Sequence, residues 1–544
     1  MDRALAIILV LALVVSLVGI GHLLVDDEAI NEFTISIIAK GGYPEYQDHP
    51  PAGPVSFYLF SQARNALSGL GGSLPIRLLP VLYGLLLIAL LFKFAVLAFD
   101  RKTAIISTAI MAFSFYGLLA RNIVDIDGNL LTLLMTASLY FYYRARIATE
   151  KRNKLLVLSG IFFGLAMLTK YTAIAIIPAI ALFELFGEKK EWMGAAAVFA
   201  IGIALFAIFP IAAIATGNEG VFLKTLEWGG KNVSGNGNFL AETVKSVFKH
   251  VYRIAEYGGP LLFFLPLLGL LSRQRKKALF FWAFALSSLA LFALLAQSGQ
   301  IERNQMIMLP ALCIIAGSVV AENLESLKKN IQVIAGSALA FAAVLFAFQV
   351  FRLHETFSLE HFDLALALKN PDVWLAGTSG PLVIMALWGM LFAFLAGLSL
   401  SAFFLLAKSG KAKAIALALL LGLGVTFNAV LLSEYLFFAT TPDYNQTMNG
   451  MAEFFHESGG TGPVFATNED LAFYAGEGFG SFYHIDKSGS IAVLSGGGTA
   501  LFLNMPPRKG NDAWLALQKE CLLAKTFYSK GYETGFVFSC PKNS

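Results

Sequence analysis

The chain carries its chemically capable side chains at the ends of long apolar runs. Asp26, Asp27 and Glu28 directly follow an apolar run from Ala4 to Leu24, long enough to cross a bilayer at roughly 20 residues per span. Asp125 and Asp127 lie between two further apolar runs, Lys170 closes another, Arg303 precedes one, and His49, Arg64, Arg77 and Arg121 complete the set. A carboxylate of this kind can take up a proton or hold a cation. Lys and Arg can bind an anion such as phosphate, Lys as a compact charge and Arg as a bidentate fork. Charge at a membrane helix end either belongs to a functional site or simply marks where the helix meets water. The residues alone leave both readings open.

The elements that must position these groups follow from composition. Of 544 residues, 57% are hydrophobic and 14% charged, with a mean hydropathy of +0.68. Ordinary soluble usage is excluded, and the chain reads as a polytopic, all-α membrane protein. The net charge of +4 is too small to point to nucleic acid, and three cysteines are too few for a disulfide scaffold or a Cys-rich metal site. The first apolar run ends in acids without a small-residue cleavage pattern, so it reads as a retained span. Further spans are expected near 75–99, 103–120, 128–143, 155–169, 172–186, 193–215, 258–271, 278–296, 305–321, 330–350, 381–407 and 412–436, about thirteen in all.

Charge in the loops orients these spans. Alternate loops on the side of the N-terminus hold Arg101 and Lys102; Arg144, Arg146, Lys151, Arg152 and Lys154; Lys189 and Lys190; Arg273, Arg275, Lys276 and Lys277; Lys328 and Lys329; and Lys408, Lys411 and Lys413. By the positive-inside rule the N-terminus is cytoplasmic. The loops with Asp27, Asp125, Asp127, Lys170 and Arg303 then all face outward, in a cell membrane crossed many times.

Two outer segments read as interfacial helices. In the first outer loop, residues 26–74, the His49-Pro50-Pro51 turn is rigid because consecutive prolines fix φ. Beyond it Leu59, Phe60, Ala63, Leu67 and Leu70 share one helical face, and Ser61, Arg64, Asn65 and Ser68 the other. In the second, residues 216–257, Lys245, Lys249 and Arg253 recur every four residues, with Val244, Phe248, Val251 and Ala255 close by. That basic face either meets lipid phosphates or consists of snorkelling side chains. After Phe438 short strand-like runs at 463–467, 479–485 and 499–504 alternate with helical stretches at 448–456 and 513–520. A membrane domain over 1–438 and a small extracytoplasmic α/β domain over 439–544 are expected. A hairpin near Lys530 and Gly531 would set Cys521 opposite Cys540, and an oxidising compartment would favour a disulfide between them.

Acids and bases gathered at one membrane face, with no mid-span charge except Lys93 and Glu184 near cytoplasmic ends and no Gly/Pro-interrupted repeat, argue for an enzyme over a transporter or lipid flippase, which is the alternative. Several segments in order resemble the membrane glycosyltransferases of the GT-C class. The likeness is to the superfamily of protein O-mannosyltransferases (family 39, dolichyl-phosphate-mannose-protein type) and the lipid A aminoarabinose transferases. The likeness lies in the acidic pair after the first span and the His49-Pro50-Pro51 loop leading to Phe57 and Tyr58. It continues through Arg77-Leu78-Leu79-Pro80 with Gly84, Arg121 ahead of Asp127-Gly128-Asn129-Leu130, Gly164 to Lys170, and Arg303 ahead of Leu309-Pro310. It covers roughly the first 320 residues. Tyr171 departs from it, standing where that family has glycine, and the Trp-Trp-Asp motif of oligosaccharyltransferases is absent.

The resemblance implies transfer of a single sugar, hexosyl or pentosyl, from a dolichyl- or undecaprenyl-phosphate donor to an extracytoplasmic protein, lipid or glycan acceptor, with membrane lipids around it and no nucleic acid. A phosphate leaving group needs no general acid, unlike the alkoxide of glycoside hydrolysis, so one carboxylate suffices as base. The resemblance assigns that role to Asp27, with Glu28 and Asp127 orienting substrate or, for Asp27 and Asp127, holding a divalent metal ion. It assigns the donor phosphate to Lys170 and Arg303, supported by Arg77 or Arg121, and the substrate loop to His49, Pro50 and Pro51. Simpler readings stand beside these: Asp127 as a helix cap, Lys170 as a snorkelling side chain, Arg77 as the partner of a loop acid, and His49 as a hydrogen-bonding member of the Pro loop.

Overall fold

The computed structural model describes residues 2–20, 52–67, 74–148, 150–187, 190–217, 239–295, 302–357, 387–439, 442–459, 463–467, 483–485, 497–504 and 512–541, with isolated positions between them. Asp26, Asp27, His49, Pro50 and Pro51 lie outside the described residues, as do most of the two outer loops.

The chain divides into two compact units, one of residues 1–20, 37–341 and 392–429, the other of 21–36, 342–391 and 430–544. In order, the first part of the chain forms α1 (Arg3–Gly19), α2 (Ala52–Ala66), α3 (Leu74–Ala98), α4 (Arg101–Phe113) and α5 (Phe115–Asn122). A π turn over Asp127–Leu131 leads into α6 (Thr132–Ile147) and α7 (Arg152–Thr169), and a 3-10 turn over Tyr171–Ala175 into α8 (Ile176–Phe186) and α9 (Trp192–Ala215). Then come α10 (Phe239–Gly269), α11 (Arg275–Leu295), a second 3-10 turn over Glu302–Met308, α12 (Leu309–Glu322), α13 (Leu324–Lys329), α14 (Ile331–Phe357), α15 (Leu387–Leu406) and α16 (Gly410–Phe437).

Among the described residues eight helices are long and apolar enough to span a membrane, nine if α4 and α5, bent by 62° at a break, count as one. These nine coincide with nine of the thirteen expected spans. Four of the expected apolar runs are shortened or interrupted. Helix α1 has 17 residues, α6 begins only after a π turn, and α8 only after a 3-10 turn. Within α10 Gly259 adopts φ 60 and separates an amphipathic half from an apolar half. Apolar composition records the depth of these segments and says nothing of where their hydrogen-bond ladders break.

The first unit is built around α12, where every residue from Leu309 to Val320 is buried. A helical stretch without charge and rich in small residues, as from Leu309 to Val320, can be surrounded on all sides in this way. Helix α4 packs against it, α3 against α4, and the antiparallel pair α6 and α7 beside them, with α9 against α7.

In the second unit, α17 (Tyr444–Glu457), β1 (Val464–Ala466), β2 (Tyr483–His484), β3 (Gly498–Leu503), α18 (Asp512–Glu520), β4 (Leu522–Ser529) and β5 (Tyr532–Cys540) form a mixed five-stranded sheet of order β2-β1-β3-β5-β4. Beta-strand alternation sends Leu501 and Leu503 to one face, against Met448, Met451 and Phe455 of α17. Ala500 and Phe502 go to the other, against Ala513, Trp514 and Leu517 of α18. The β4–β5 hairpin turns at Lys530 and Gly531, both with positive φ, the two-residue geometry that matches strand twist. Cys521 and Cys540 are joined by a disulfide across its open end, and Cys313 is a buried free thiol.

Candidate functional site

The site rests on a broken span. Helix α4 stops at Phe113, and Ser114, in an extended conformation, caps α5 by accepting from the Gly117 amide at 3.1 Å. A break at membrane depth frees carbonyls that no water can satisfy. Arg121 supplies the donors. Its guanidinium reaches the carbonyls of Met111 (3.2 Å), Ala112 (2.7 Å) and Gly117 (2.9 Å), and the Ser16 hydroxyl of α1 (3.1 Å). Gly84 of α3 leaves the room for it, since a Cβ there would come within 2.1 Å of Arg121 Cγ. All three guanidinium nitrogens of Arg121, expected to support the donor phosphate, are bonded within the fold. Arg77 is also buried and donates to the Asn122 carbonyl at the end of α5, while the Asn122 amide donates to the Ser16 carbonyl at 3.1 Å. A guanidinium at a helix C-terminus meets the negative end of its dipole.

From that corner the chain passes through a bend into the π turn, closed by the Leu131 amide on the Ile126 carbonyl at 2.8 Å. Single π turns inside helices are rare and recur at functional positions. This one projects Asp127, which does not act as a helix cap. Its carboxylate accepts from Lys170 Nζ at 2.7 Å, with the two side chains 2% and 19% exposed. Lys170 ends α7 in an extended conformation ahead of the first 3-10 turn, which frees its side chain to cross to the π turn. The pair joins two helices 43 residues apart in sequence. Removing one partner of a buried pair leaves an uncompensated charge, at a cost of about 3–5 kcal/mol. Asp125 and Asn129 are buried beside it in sequence.

Glu28 is helical and buried, and belongs to the other compact unit. The backbone of Arg303 lies in the second 3-10 turn, with its side chain outside the described residues. The structure thus brings Asp127 and Lys170 together and gives Arg77 and Arg121 the capping of a broken span. As for the expected metal ion, Asp127 already holds an ammonium group, and no cluster of three His, Cys, Asp or Glu side chains occurs among the described residues. Asp27, the other ligand expected for that ion, lies outside the described residues.

Helix α10 differs from expectation in its orientation. The helix forms as predicted through Lys249 and Arg253, but Arg253 is buried and paired with Glu256 at 2.6 Å instead of facing lipid phosphates. Ser246, His250 and Tyr257 are buried with it, whereas Phe248 is 70% exposed. Helix α2 likewise buries Ser56, Phe57, Phe60 and Ser61 and exposes Leu59, a face rotated from the one drawn by hydropathy.

Residues 48–214 match the family model of dolichyl-phosphate-mannose-protein mannosyltransferase. Among solved structures the chain is similar to ArnT from Cupriavidus metallidurans in the apo state, with 16% identity over 99% of this chain and 98% of that one and a TM-score of 0.60. The same protein bound to undecaprenyl phosphate gives 17% identity over 98% and 97% and a TM-score of 0.59. No curated protein matches the sequence significantly. These likenesses show that the chain shares the fold of the ArnT structures, and the segment matching the family model contains both the broken span and the buried Asp127–Lys170 pair.

Proposed function

We propose that this protein transfers one sugar from a polyprenyl-phosphate donor, dolichyl or undecaprenyl, to an acceptor on the extracytoplasmic side. The buried Asp127–Lys170 pair carries this reading. It lies within the segment that matches a mannosyltransferase family, in a chain whose fold is shared with a protein crystallised with undecaprenyl phosphate. Asp127 fixes the Lys170 ammonium at the end of α7, where a compact charge is suited to a departing phosphate. Arg303, in the turn packed on the π turn, is the second phosphate ligand.

Asp27 acts as general base. It takes the proton from an acceptor hydroxyl or amine as the acceptor atom bonds to the anomeric carbon. The bond from that carbon to the phosphate oxygen breaks, its electron pair leaves with the polyprenyl phosphate, and configuration inverts. Glu28 orients the acceptor, and the His49-Pro50-Pro51 loop lies along the substrate path. The N-terminus is cytoplasmic, residues 1–438 form the membrane domain, and residues 439–544 form an extracytoplasmic domain that shapes acceptor choice.

The test uses full-length protein in proteoliposomes with radiolabelled undecaprenyl- or dolichyl-phosphate sugars. Label should move to an acceptor fraction, and Asp27→Asn should lower transfer by about 10²-fold or more, as expected for loss of a positioned base. Undiminished transfer by Asp27→Asn would overturn the base assignment, and solute flux without transfer would overturn the enzyme reading.

A further inference from the structure

Helix α10 turns its polar residues inward. Ser246, His250, Arg253 and Tyr257 are buried along one side of its amphipathic half, and Val244 and Phe248 are exposed on the other. A helix that buries polar groups and exposes apolar ones forms the wall of a polar interior facing lipid. At the centre of that inner stripe His250, 1% exposed, is hydrogen-bonded through Nδ1 to the Gln305 amide nitrogen. Its ring lies 5.7 Å from that of Phe292 on α11. The other end of the Gln305 amide accepts from the Tyr116 hydroxyl of α5 at 3.5 Å. Tyr116 in turn packs on Tyr257 of α10 with ring centroids 5.6 Å apart.

Gln305 belongs to the second 3-10 turn, seven residues long. Runs of this helix beyond three or four residues are uncommon because their hydrogen bonds are poor, so the turn depends on its neighbours for its shape. It packs on the π turn, α5, α6, α10, α11 and α12. Met306 is fitted to Gly128, where a Cβ would stand 2.4 Å from the Met306 sulfur. Gly128 adjoins Asp127, and the same turn carries Arg303 two residues before Gln305.

We propose that His250 is a positioning residue for the transfer reaction. It fixes the second 3-10 turn through Gln305, and that turn fixes both the π turn of Asp127 and the backbone of Arg303. The proposal rests on the function argued above for its catalytic consequence, and on hydrogen-bond geometry alone for the positioning. His250 touches no reacting atom. It acts by holding groups to within the fraction of an ångström on which turnover depends.

The experiment compares full-length His250→Leu, His250→Asn and His250→Leu/Gln305→Leu. Asparagine places an acceptor where Nδ1 stands, and leucine does not. Hydrogen exchange should quicken in peptides covering 302–308 and 127–131 in His250→Leu and return to the wild-type rate in His250→Asn. With the polyprenyl-phosphate sugar donor, kcat should fall about 10- to 100-fold in His250→Leu with donor KM changed less than threefold. His250→Asn should recover most of it, and the double variant should lose no more than His250→Leu.

Unchanged exchange in His250→Leu, or Leu and Asn variants that behave alike, overturns the positioning role. So does altered exchange with undiminished kcat. If the wild type transfers no sugar, the proposed function falls, and the exchange comparison still decides whether His250 holds the turn.

Discussion

Two buried ionic groups lie at opposite ends of the antiparallel pair α6 and α7, about 24 Å apart for a 16-residue helix. At one end Asp127 and Lys170 face each other from a π turn and an extended link. At the other, Glu184 of α8 accepts from the Tyr142 hydroxyl at 2.6 Å and the Glu191 amide at 2.5 Å, and forms an ion pair with Arg146, whose Nε lies 2.7 Å away. Glu191 completes that group by pairing with Arg152 and, at 3.8 Å, with Arg146. The charges are of the same kind; what differs is the backbone beneath them. The Glu184 group sits at the ends of regular α-helices and closes on itself, joining α6, α7, α8 and the start of α9. The Asp127 pair sits where two helices are interrupted, and each interruption turns a side chain toward the other. A closed network on regular helices fastens a bundle, whereas a pair held by irregular turns keeps a cation at a chosen point.

Stability is where the two ends should differ most visibly. Glu184→Ala leaves Arg146 and Tyr142 facing a vacated site and should cost about 3–5 kcal/mol in detergent, read as a large fall in the thermal midpoint. The protein that remains folded should turn over at the wild-type rate. Normal stability, or a selective loss of turnover, would erase the distinction between the two ends.

The converse experiment removes the charge at the other end without leaving one unpaired. Asp127→Asn/Lys170→Met should hold stability to within about 1–2 kcal/mol of wild type, because a neutral, space-filling replacement of a buried pair is often tolerated. Transfer from the polyprenyl-phosphate sugar should nevertheless fall by about 10²-fold, in line with loss of an electrostatic contact to a leaving group. If turnover survives the neutral pair, Asp127 and Lys170 belong with Glu184 as structure.

Sequence legibility differs between these ends in the same way. Apolar run lengths and loop charges put Asp127 and Lys170 at one end of their helices and Arg146 and Arg152 at the other, and the α/β pattern beyond Phe438 was readable down to the turn at Lys530 and Gly531. Arg121 was not readable. Its type and position suit a phosphate ligand, but the carbonyls it satisfies exist only because α4 breaks at Ser114, and nothing in hydropathy marks that break. Helix α10 was legible as a helix but not in its orientation, because hydropathy assumes water outside, and here the buried side holds His250 and Arg253. Helix ends were not legible for the same reason wherever a π turn, a 3-10 turn or Gly259 interrupts an apolar run.

Arg121 offers an intermediate test, being a charge near the candidate site with a structural task. Arg121→Lys keeps the charge but lacks the fork that reaches three carbonyls and Ser16. Leaving one or two buried carbonyls unmet should cost about 1–3 kcal/mol, together with faster hydrogen exchange over 111–122. Donor KM should change little. A large rise in donor KM at unchanged stability would instead restore Arg121 to the phosphate site.

The smallest effect belongs to an exposed pair at the Glu184 end, and it isolates burial as the variable. Arg101 Nε donates to Asp2 at 2.6 Å, tying α1 to α4, and both groups are open to solvent. The Arg101 hydrogen bond, aided by the amide of Ala4, draws the Asp2 carboxyl down from 3.8 to about 2. A carboxyl lowered on folding adds stability that is present above its unfolded value of 3.8 and lost as pH falls through about 2. The pair should therefore give no pH dependence between pH 5 and 9, a window set by that shift. Asp2→Asn retains the oxygen that accepts from the Ala4 amide and removes only the charge. Its thermal midpoint should fall only slightly below wild type at 0.1 M salt and less still at 1 M, because water and ions screen an exposed pair. A loss as large as that of Glu184→Ala would show that charge pairing itself, and not its enclosure between regular helices, fastens this end of the bundle.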